Sequence, residues 1–368
     1  MCGFVGFLGG DGGKKSAEAL LQRMSDTISY RGPDDSGHWC DLDQHVGLGH
    51  RRLSIVDLSS AGHQPMISPG GRYVIAFNGE VYNHNILRDE LGEKPWRGHS
   101  DTETLLAGFD HWGIQGTVER AMGMFAFAVW DKSENTLVLG RDRIGEKPLY
   151  YGWQGNSFLF GSELKALKQH PAFKAEISKE SVCLFLRYSN VPAPYSIYSG
   201  FRKLEPGCLL SLSLALPEPK IWKYWSAVDL IKKGINSPFP GTPLDAVDEL
   251  ELLVKDAIKQ QMVADVPLGA FLSGGKDSST VVALMQSQST QKVKTFSIGF
   301  KEEGYNEAVY AKKIAQHLGT DHTELYVPSD IAREVIPNIP TLYDEPFADS
   351  SQIPTFLVAQ LARQHVTV

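Results

Sequence analysis

The chain opens Met1-Cys2-Gly3-Phe4-Val5-Gly6-Phe7-Leu8-Gly9. An apolar run interrupted only by glycines reads as a buried strand, and a cysteine stands directly before it. Removal of Met1 would leave one residue carrying both a thiol and a free α-amine. Such an amine titrates near pH ~8, so a useful fraction is an unprotonated base at neutral pH. Nucleophile and base then come from the same residue. Taken alone, a buried structural thiol is the commoner use of a free cysteine. The rest of the chain reverses those odds.

Working outward, residues 1–187 read as many short strands with few helices. VGLGHRRLSIV, RYVIAFNGEVY, GMFAFAVWD, NTLVLGRDR and PLYYGWQGNSFLFGSE are strand-like, the last with a hairpin signal at Gln154-Gly155-Asn156. Helical spacing occurs at 15–29, 101–113 and 162–169. Packed antiparallel sheets covered by helices, an α+β layering, follow from this pattern. Residues 188–243 are broken by Pro192, Pro194, Pro206, Pro217, Pro219, Pro238, Pro240 and Pro243, and read as a connecting region with a few strands. From 244 to 368 helix and strand alternate, the mark of an α/β parallel sheet with crossover helices. The final HVTV resembles the start of another buried strand, so this second domain is expected to be incomplete at its C-terminus.

Composition narrows the classes. At 368 residues two domains are the natural expectation. A net charge of −7 speaks against nucleic-acid binding, which normally shows a basic excess. No run of about 18 apolar residues indicates a membrane span, and the N-terminus lacks the basic-then-apolar order of a secretory signal. Cys2, Cys40, Cys183 and Cys208 form no CxxC pair and suggest neither a zinc ribbon nor a disulfide framework. A reducing, cytoplasmic setting is expected.

Two kinds of chemistry stand out. Ser273-Gly274-Gly275-Lys276-Asp277-Ser278-Ser279 follows an apolar strand and opens a helix. Glycines let backbone N–H groups approach a phosphate, and the helix N-terminus favours its charge. Asp277 can hold Mg²⁺ beside a pyrophosphate. A serine-rich helix cap is the plainer alternative, but a cap needs only one such residue. In the first half, Arg31 and the His50-Arg51-Arg52 run bring cations toward a cleft. Asn78 and the Gly79 N–H can stabilise an oxyanion, although a bare Asn-Gly pair is by default a hairpin turn. Asp101 reads as a first-turn helix acid that can also hold an ammonium.

The stretches MCGFVGF, RGPDDSG, GHRRLSIVDLS, FNGEVYNH, SDTETLL, GMFAFAVWD, GRDRIGEKPLYYG, SELKAL, VPLGAFLSGGKDSS and YDEPFADSSQIPT resemble glutamine-dependent asparagine synthetases. The resemblance runs over essentially the whole chain. It implies an N-terminal-nucleophile αββα sandwich at 2–187, a class II glutamine amidotransferase domain. It implies an ATP-pyrophosphatase synthetase domain at 244–368. Cys2 would attack the glutamine carboxamide, with Asn78 and Gly79 as oxyanion hole. Arg52 would bind the glutamine α-carboxylate, and Glu80 and Asp101 the α-amino group. Ser273, Gly274, Gly275, Asp277 and Ser278 would hold the ATP pyrophosphate and magnesium, while Leu272 and Ile298 would flank the adenine or ribose. Glutamine, ATP and aspartate would be the substrates, and a homodimer is implied.

Lys276 occupies a position that is often aliphatic in that family. The family normally continues past a strand like HVTV with a segment that completes the ATP and acceptor sites. The acceptor therefore stays open between aspartate and another carboxylate, such as a uronic acid in a polysaccharide or a secondary metabolite. A non-catalytic glutamine-binding homologue is the remaining alternative. A phosphoribosyl- or hexosamine-type amidotransferase is set aside because it predicts no SGGKDS loop.

Overall fold

In a computed structural model of the protein, residues 1–10, 14–300 and 306–368 are described. The chain divides into two compact units. The first is Met1–Ser237 together with Asp344–Phe347, and the second is Pro238–Tyr343 with Ala348–Val368.

Among the described residues, the first unit holds twelve strands in two six-stranded sheets. The strands of the first sheet are β1 (Gly3–Gly9), β2 (Asp35–Asp41), β3 (Val46–Arg52), β8 (Tyr150–Gln154), β9 (Ser157–Gly161) and β10 (Arg202–Lys203), in the order β10-β8-β9-β1-β3-β2. Those of the second are β4 (Met66–Ile67), β5 (Tyr73–Val81), β6 (Gly123–Asp131), β7 (Thr136–Arg141), β11 (Cys208–Leu212) and β12 (Lys220–Lys223), in the order β12-β11-β7-β6-β5-β4. Every pairing between these strands is antiparallel. Gln154 pairs with Ser157, and Gly155 at φ +63° makes the expected hairpin turn between β8 and β9.

Strand alternation explains the layering. Phe4, Leu8, Val46, Leu48, Phe158 and Phe160 of the first sheet meet Val74, Ala76, Ala126, Ala128 and Trp130 of the second in one buried cluster. The intervening residues of the first sheet, such as Val5, Phe7 and Leu159, pack with Leu21, Met24 and Ile28. Met24 belongs to α1 (Lys14–Asp26). This outer layer also takes in α4 (Leu164–Leu167) and α5 (Lys179–Tyr188). The outward residues of the second sheet, Ile75, Phe77, Phe125, Phe127 and Val129, pack with α2 (His84–Leu91) and α3 (Asp101–Arg120). Helix, sheet, sheet, helix is thus the order of layers. Both sheets are apolar on both faces, which is why their strands read as continuous apolar runs.

The strands at 202–223, read from sequence as part of a connector, lie inside the first unit. β11 pairs with β7 and β12 with β11, so this proline-rich stretch extends the second sheet. Prolines fall between these short strands, where no ladder bond is lost. Tetrapeptide Asp344–Phe347 is part of the same unit. Its Asp344 carboxylate accepts from the backbone N–H of Leu164 at 2.5 Å and of Lys165 at 3.3 Å, at the start of α4. Glu345 accepts from the Ile197 N–H at 2.7 Å and pairs with Lys203 at 2.5 Å. The unit also contains α6 (Ala227–Asn236).

In the second unit β13 (Gly269–Phe271), β14 (Lys294–Phe300) and β15 (Asp321–Val327) form a parallel sheet in that order. The helices are α7 (Pro243–Gln261), α8 (Lys276–Gln288), α9 (Ala308–Leu318), α10 (Ser329–Val335), α11 (Ile339–Leu342) and α12 (Gln352–Ala362). Thr242 and Asp245 make a capping box at the start of α7, with Pro243 in the first turn. Leu272, Val282, Ala311 and Ala315 cover one face of the sheet, and Phe296, Val358 and Ala362 the other. The closing HVTV is not a named strand. However, the Gly269 N–H donates to Val368 O at 2.9 Å and the Val368 N–H to Pro267 O at 3.3 Å, a parallel pairing beside β13.

Phe160 is fully buried in the gap between the two large sheets. Phe160→Ala should lower stability by about 3–5 kcal/mol. A urea unfolding midpoint that does not move would contradict the packing described.

Candidate active site

Alternation along three strands builds the site in the first unit. Cys2 precedes Phe4, Arg52 follows Leu48 and His50, and Asn78 and Glu80 follow Val74 and Ala76. All share the parity of the side chains that fill the gap between the sheets. Gly3 pairs with Arg51, so the start of β1 and the end of β3 lie at one end of the first sheet. His50 bridges to the second sheet there, its Nε2 2.9 Å from Phe77 O. Burial holds the His50 ring well below its usual range, to about 4, so it is neutral at pH 7.

Cys2, Arg52, Asn78, Gly79, Glu80 and Asp101 line one cavity, with Met1, Gln64 and Lys147. The six glutamine-site residues expected from sequence are therefore brought together. Cys2 Sγ lies 3.4 Å from the Leu53 N–H, which donates to it, and 3.5 Å from Leu53 O. Arg31 Nε donates to Cys2 O at 2.8 Å and Nη1 pairs with Glu163 at 2.6 Å, fixing the backbone at Cys2. Arg52 donates to Ser59 O at 2.9 Å and to Asp57 O. Its guanidinium lies over Gly62, where a Cβ would collide with it.

Asn78-Gly79 lies inside β5 rather than at a hairpin turn. Asn78 is fully buried, yet neither its Oδ1 nor its Nδ2 has a hydrogen-bond partner. Leaving a buried amide unpaired costs about 1–3 kcal/mol per group. The Phe77 N–H donates to Gln64 Oε1 at 2.7 Å and the Val81 N–H to Asp101 Oδ2 at 2.9 Å. Because N–H directions alternate along a strand, the Gly79 N–H faces the same edge, away from β6. An unpaired amide side chain and an edge-facing backbone N–H thus belong to residues that line the same cavity as Cys2, two donors of the kind an oxyanion site uses.

Burial dominates the electrostatics. It pushes the Cys2 thiol up, against the Leu53 N–H, so a base is needed to make the thiolate. It lowers the Met1 α-amine to about 6, leaving that amine mostly unprotonated at neutral pH. Burial, with the Asp101 carboxylate next in weight, pushes Glu80 up to about 7. Asp101 is itself raised by burial, against hydrogen bonds from Val81 and Thr102.

The second unit contains the loop after β13. Ser273 and Ser278 share a hydrogen bond at 3.0 Å between their hydroxyls, and the Gly275 N–H donates to Ser273 Oγ at 3.3 Å. Gly274 has φ +84°, and a Cβ there would lie 2.9 Å from the backbone of Ala311. Only glycine suits both constraints. Ser273, Gly275 and Asp277 are exposed at the N-terminus of α8, with Gly274 and Ser278 half-buried. Leu272 is buried in the core against Val282, Ala311 and Ala315, and Ile298 is half-buried on β14. Among the described residues no group of three or more His, Cys, Asp or Glu side chains forms a metal cage. Nor is any described helix long and apolar enough to cross a membrane.

Sequence reasoning assigned no role to Gln64, Lys147 or Glu163. Lys147 lay within a quoted motif, directly after Glu146 and close to Arg141, Asp142 and Arg143, so its charge did not stand out locally.

Residues 1–225 match a family described as glutamine amidotransferase domain, and residues 249–368 one described as asparagine synthase. The whole chain is 37% identical to a Methanocaldococcus jannaschii protein named putative asparagine synthetase [glutamine-hydrolyzing] 2, of which it covers 73%. It is 36% identical to Bacillus subtilis asparagine synthetase [glutamine-hydrolyzing] 1, covering 57% of that protein. Over 87% of its length it is 31% identical to a Gibberella zeae protein named amidase chry2, covering 50% of it. The chain therefore spans between about half and three quarters of the length of these relatives. On the strength of these matches, the chain belongs to the glutamine-hydrolysing asparagine synthetase family.

Proposed function

We propose that the first unit hydrolyses glutamine and that its ammonia is used to amidate a carboxylate, aspartate in the simplest case, after activation by ATP. The observation that carries the first step is the buried, unpaired Asn78 amide in one cavity with Cys2. Once Met1 is removed, the α-amine of Cys2 takes the thiol proton. Sγ attacks the carboxamide carbon, and Asn78 Nδ2 with the Gly79 N–H receives the developing oxyanion. The protonated amine gives its proton to the departing nitrogen, leaving a thioester and ammonia. Water then attacks the thioester, releasing glutamate and restoring the thiol. Arg52 supplies the charge for the glutamine α-carboxylate. Glu80 and Asp101 supply it for the α-ammonium.

The second step rests on the loop at 273–278 and on family membership. Its glycines and serine hydroxyls at a helix start suit a pyrophosphate. Magnesium carried by ATP takes most of its ligands from phosphate and water, so the single exposed Asp277 fits it. The acceptor carboxylate attacks the α-phosphate of ATP and releases pyrophosphate, and ammonia then attacks the carbonyl of the resulting adenylate and releases AMP. Nothing in the second unit's geometry separates aspartate from other carboxylates, and the match to a protein named amidase chry2 keeps a second acceptor open. A reducing, cytoplasmic compartment is supported by the need for a free Cys2 thiol. A homodimer is supported by the family resemblance alone.

Glutamate release from glutamine by this chain, with the N-terminal mass checked, is the direct test. We expect release that vanishes in Cys2→Ala and in chains that retain Met1. Undiminished release from a chain that retains Met1 would refute the free-amine mechanism. Stimulation by ATP with aspartate, but not with a uronic acid, would select the acceptor. Asn78→Ala should lower kcat about 10²–10³-fold with little change in KM, the mark of an interaction made in the transition state. A change confined to KM would remove Asn78 from the oxyanion site.

A further inference from the structure

Glu163 directly precedes α4, the place from which a side chain normally caps a helix, yet it makes no cap hydrogen bond. The backbone N–H groups of Leu164 and Lys165 are taken instead by Asp344, at 2.5 and 3.3 Å. Glu163 is thereby free to turn the other way. It accepts from Tyr30 Oη at 2.5 Å, Arg31 Nη1 at 2.6 Å and Lys165 Nζ at 2.9 Å. Lys165 Nζ also serves the other carboxylate, 3.7 Å from Asp344 Oδ1. Against burial, Arg31, Tyr30 and Lys165 hold Glu163 below its usual range. Burial and Glu163 push Asp344 up against Lys165 and the α4 N–H groups, so its carboxylate depends on those partners.

These groups lead to the nucleophile. Arg31 Nε donates to Cys2 O at 2.8 Å, and among the described residues its buried Nη2 has no hydrogen-bond partner. Glu163 is therefore the carboxylate that aims this guanidinium. One residue earlier, the Ser162 N–H donates to Phe4 O at 2.9 Å and the Phe4 N–H to Ser162 Oγ at 3.1 Å. The corner between β9 and α4 thus lies against the backbone just after Cys2. Arg31 and Lys165 balance Glu163 and Asp344, and none of the four side chains is more than 20% exposed. Removing one carboxylate from such a cluster leaves a buried charge uncompensated. Without Asp344, Glu163 is the carboxylate left to answer both Lys165 and the open N–H groups of α4, and either draws it off Arg31.

We propose that Asp344 is a positioning residue for glutamine hydrolysis: by capping α4 and pairing with Lys165 it leaves Glu163 to hold Arg31, and Arg31 fixes the carbonyl of Cys2. This rests on the glutaminase reading above. Asp344 touches no residue that binds glutamine in that reading, so it acts on the nucleophile's placement and not on substrate affinity. Small displacements of a reacting group cost rate steeply. Tyr343 and Ala348, on either side of the tetrapeptide, belong to the second unit. The nucleophile of one unit is therefore steadied by a peptide that the sequence of the other supplies.

The test is a double-mutant cycle on glutamine hydrolysis by this chain, with wild type, Asp344→Asn, Glu163→Gln and the double variant, each with Met1 shown to be absent by mass. We expect Asp344→Asn to lower kcat by about 10-fold or more with KM little changed. The double variant should be no slower than Glu163→Gln alone, because the effect of Asp344 passes through Glu163. Should Asp344→Asn fail to fold, Asp344→Ser replaces it. Losses that multiply in the double variant are the mark of a merely structural role and overturn the proposal. So does a change confined to KM, or a wild-type kcat in either single variant. A wild type no more active than Cys2→Ala would instead overturn the glutaminase reading.

Discussion

The apolar gap between the two large sheets governs the first unit. Phe4, Phe158, Phe160 and Trp130 fill it so completely that polar side chains on the same strands are admitted only at its end. Two-residue alternation then does the rest. The parity that turns Phe4 inward also turns Cys2 inward, and the parity of Ala76 carries over to Asn78 and Glu80. No loop has to find these residues and bring them together. They are held as rigidly as the core, because they are the core's last layer. Such a foundation suits a group like the Asn78 amide, which must sit ready without a partner.

The surroundings of Cys2 show how burial can be used against itself. The thiol is pushed up by the same desolvation that lowers the neighbouring amine. The two shifts leave the Met1 amine free to accept a proton at neutral pH but widen the gap between it and the thiol, so forming the thiolate there is uphill. Positive charges around the pair come from strands and loops that are separately anchored. Arg31 is tied to Glu163 and Arg52 to backbone carbonyls. The second unit solves a different problem with a different device. Its sheet is covered on both faces by helices, and the loop after β13 packs Gly274 against α9 too closely for any side chain.

Much of this was legible in the sequence because it depends on local rules. Alternating and continuous apolar runs marked most strands of both units, though not β2, β4 and β10, and the change to helix–strand alternation near residue 244 marked the second fold. The six glutamine-site residues were named from motifs and meet in one cavity. Other features depended on distant partners. Helices α2 and α5 are short and were not read from periodicity. The Asn78-Gly79 pair looks locally like a turn, and only its pairing with Ala126 and Phe125 of β6 makes it a strand interior. The strands at 202–223 looked like parts of a linker because prolines dominate the local composition, while their pairing partners lie far back at 137–140. Lys147 was passed over for the same reason. Its burial follows from packing, which a linear pattern does not record.

The tetrapeptide Asp344–Phe347 makes the amidotransferase unit discontinuous in the chain. Asp344 supplies the acceptor for the first backbone N–H groups of α4, and Glu345 the counter-charge for Lys203. A clone ending after Ser237 would contain every residue of the Cys2 cavity and still lack part of this unit's architecture. Modular exchange of the two halves between relatives is constrained in the same way. A synthetase half taken from another protein brings its own version of this peptide, which must match the α4 end and the lysines of the recipient. Recombination here is a question of compatibility at a four-residue insert, not of where the linker is cut.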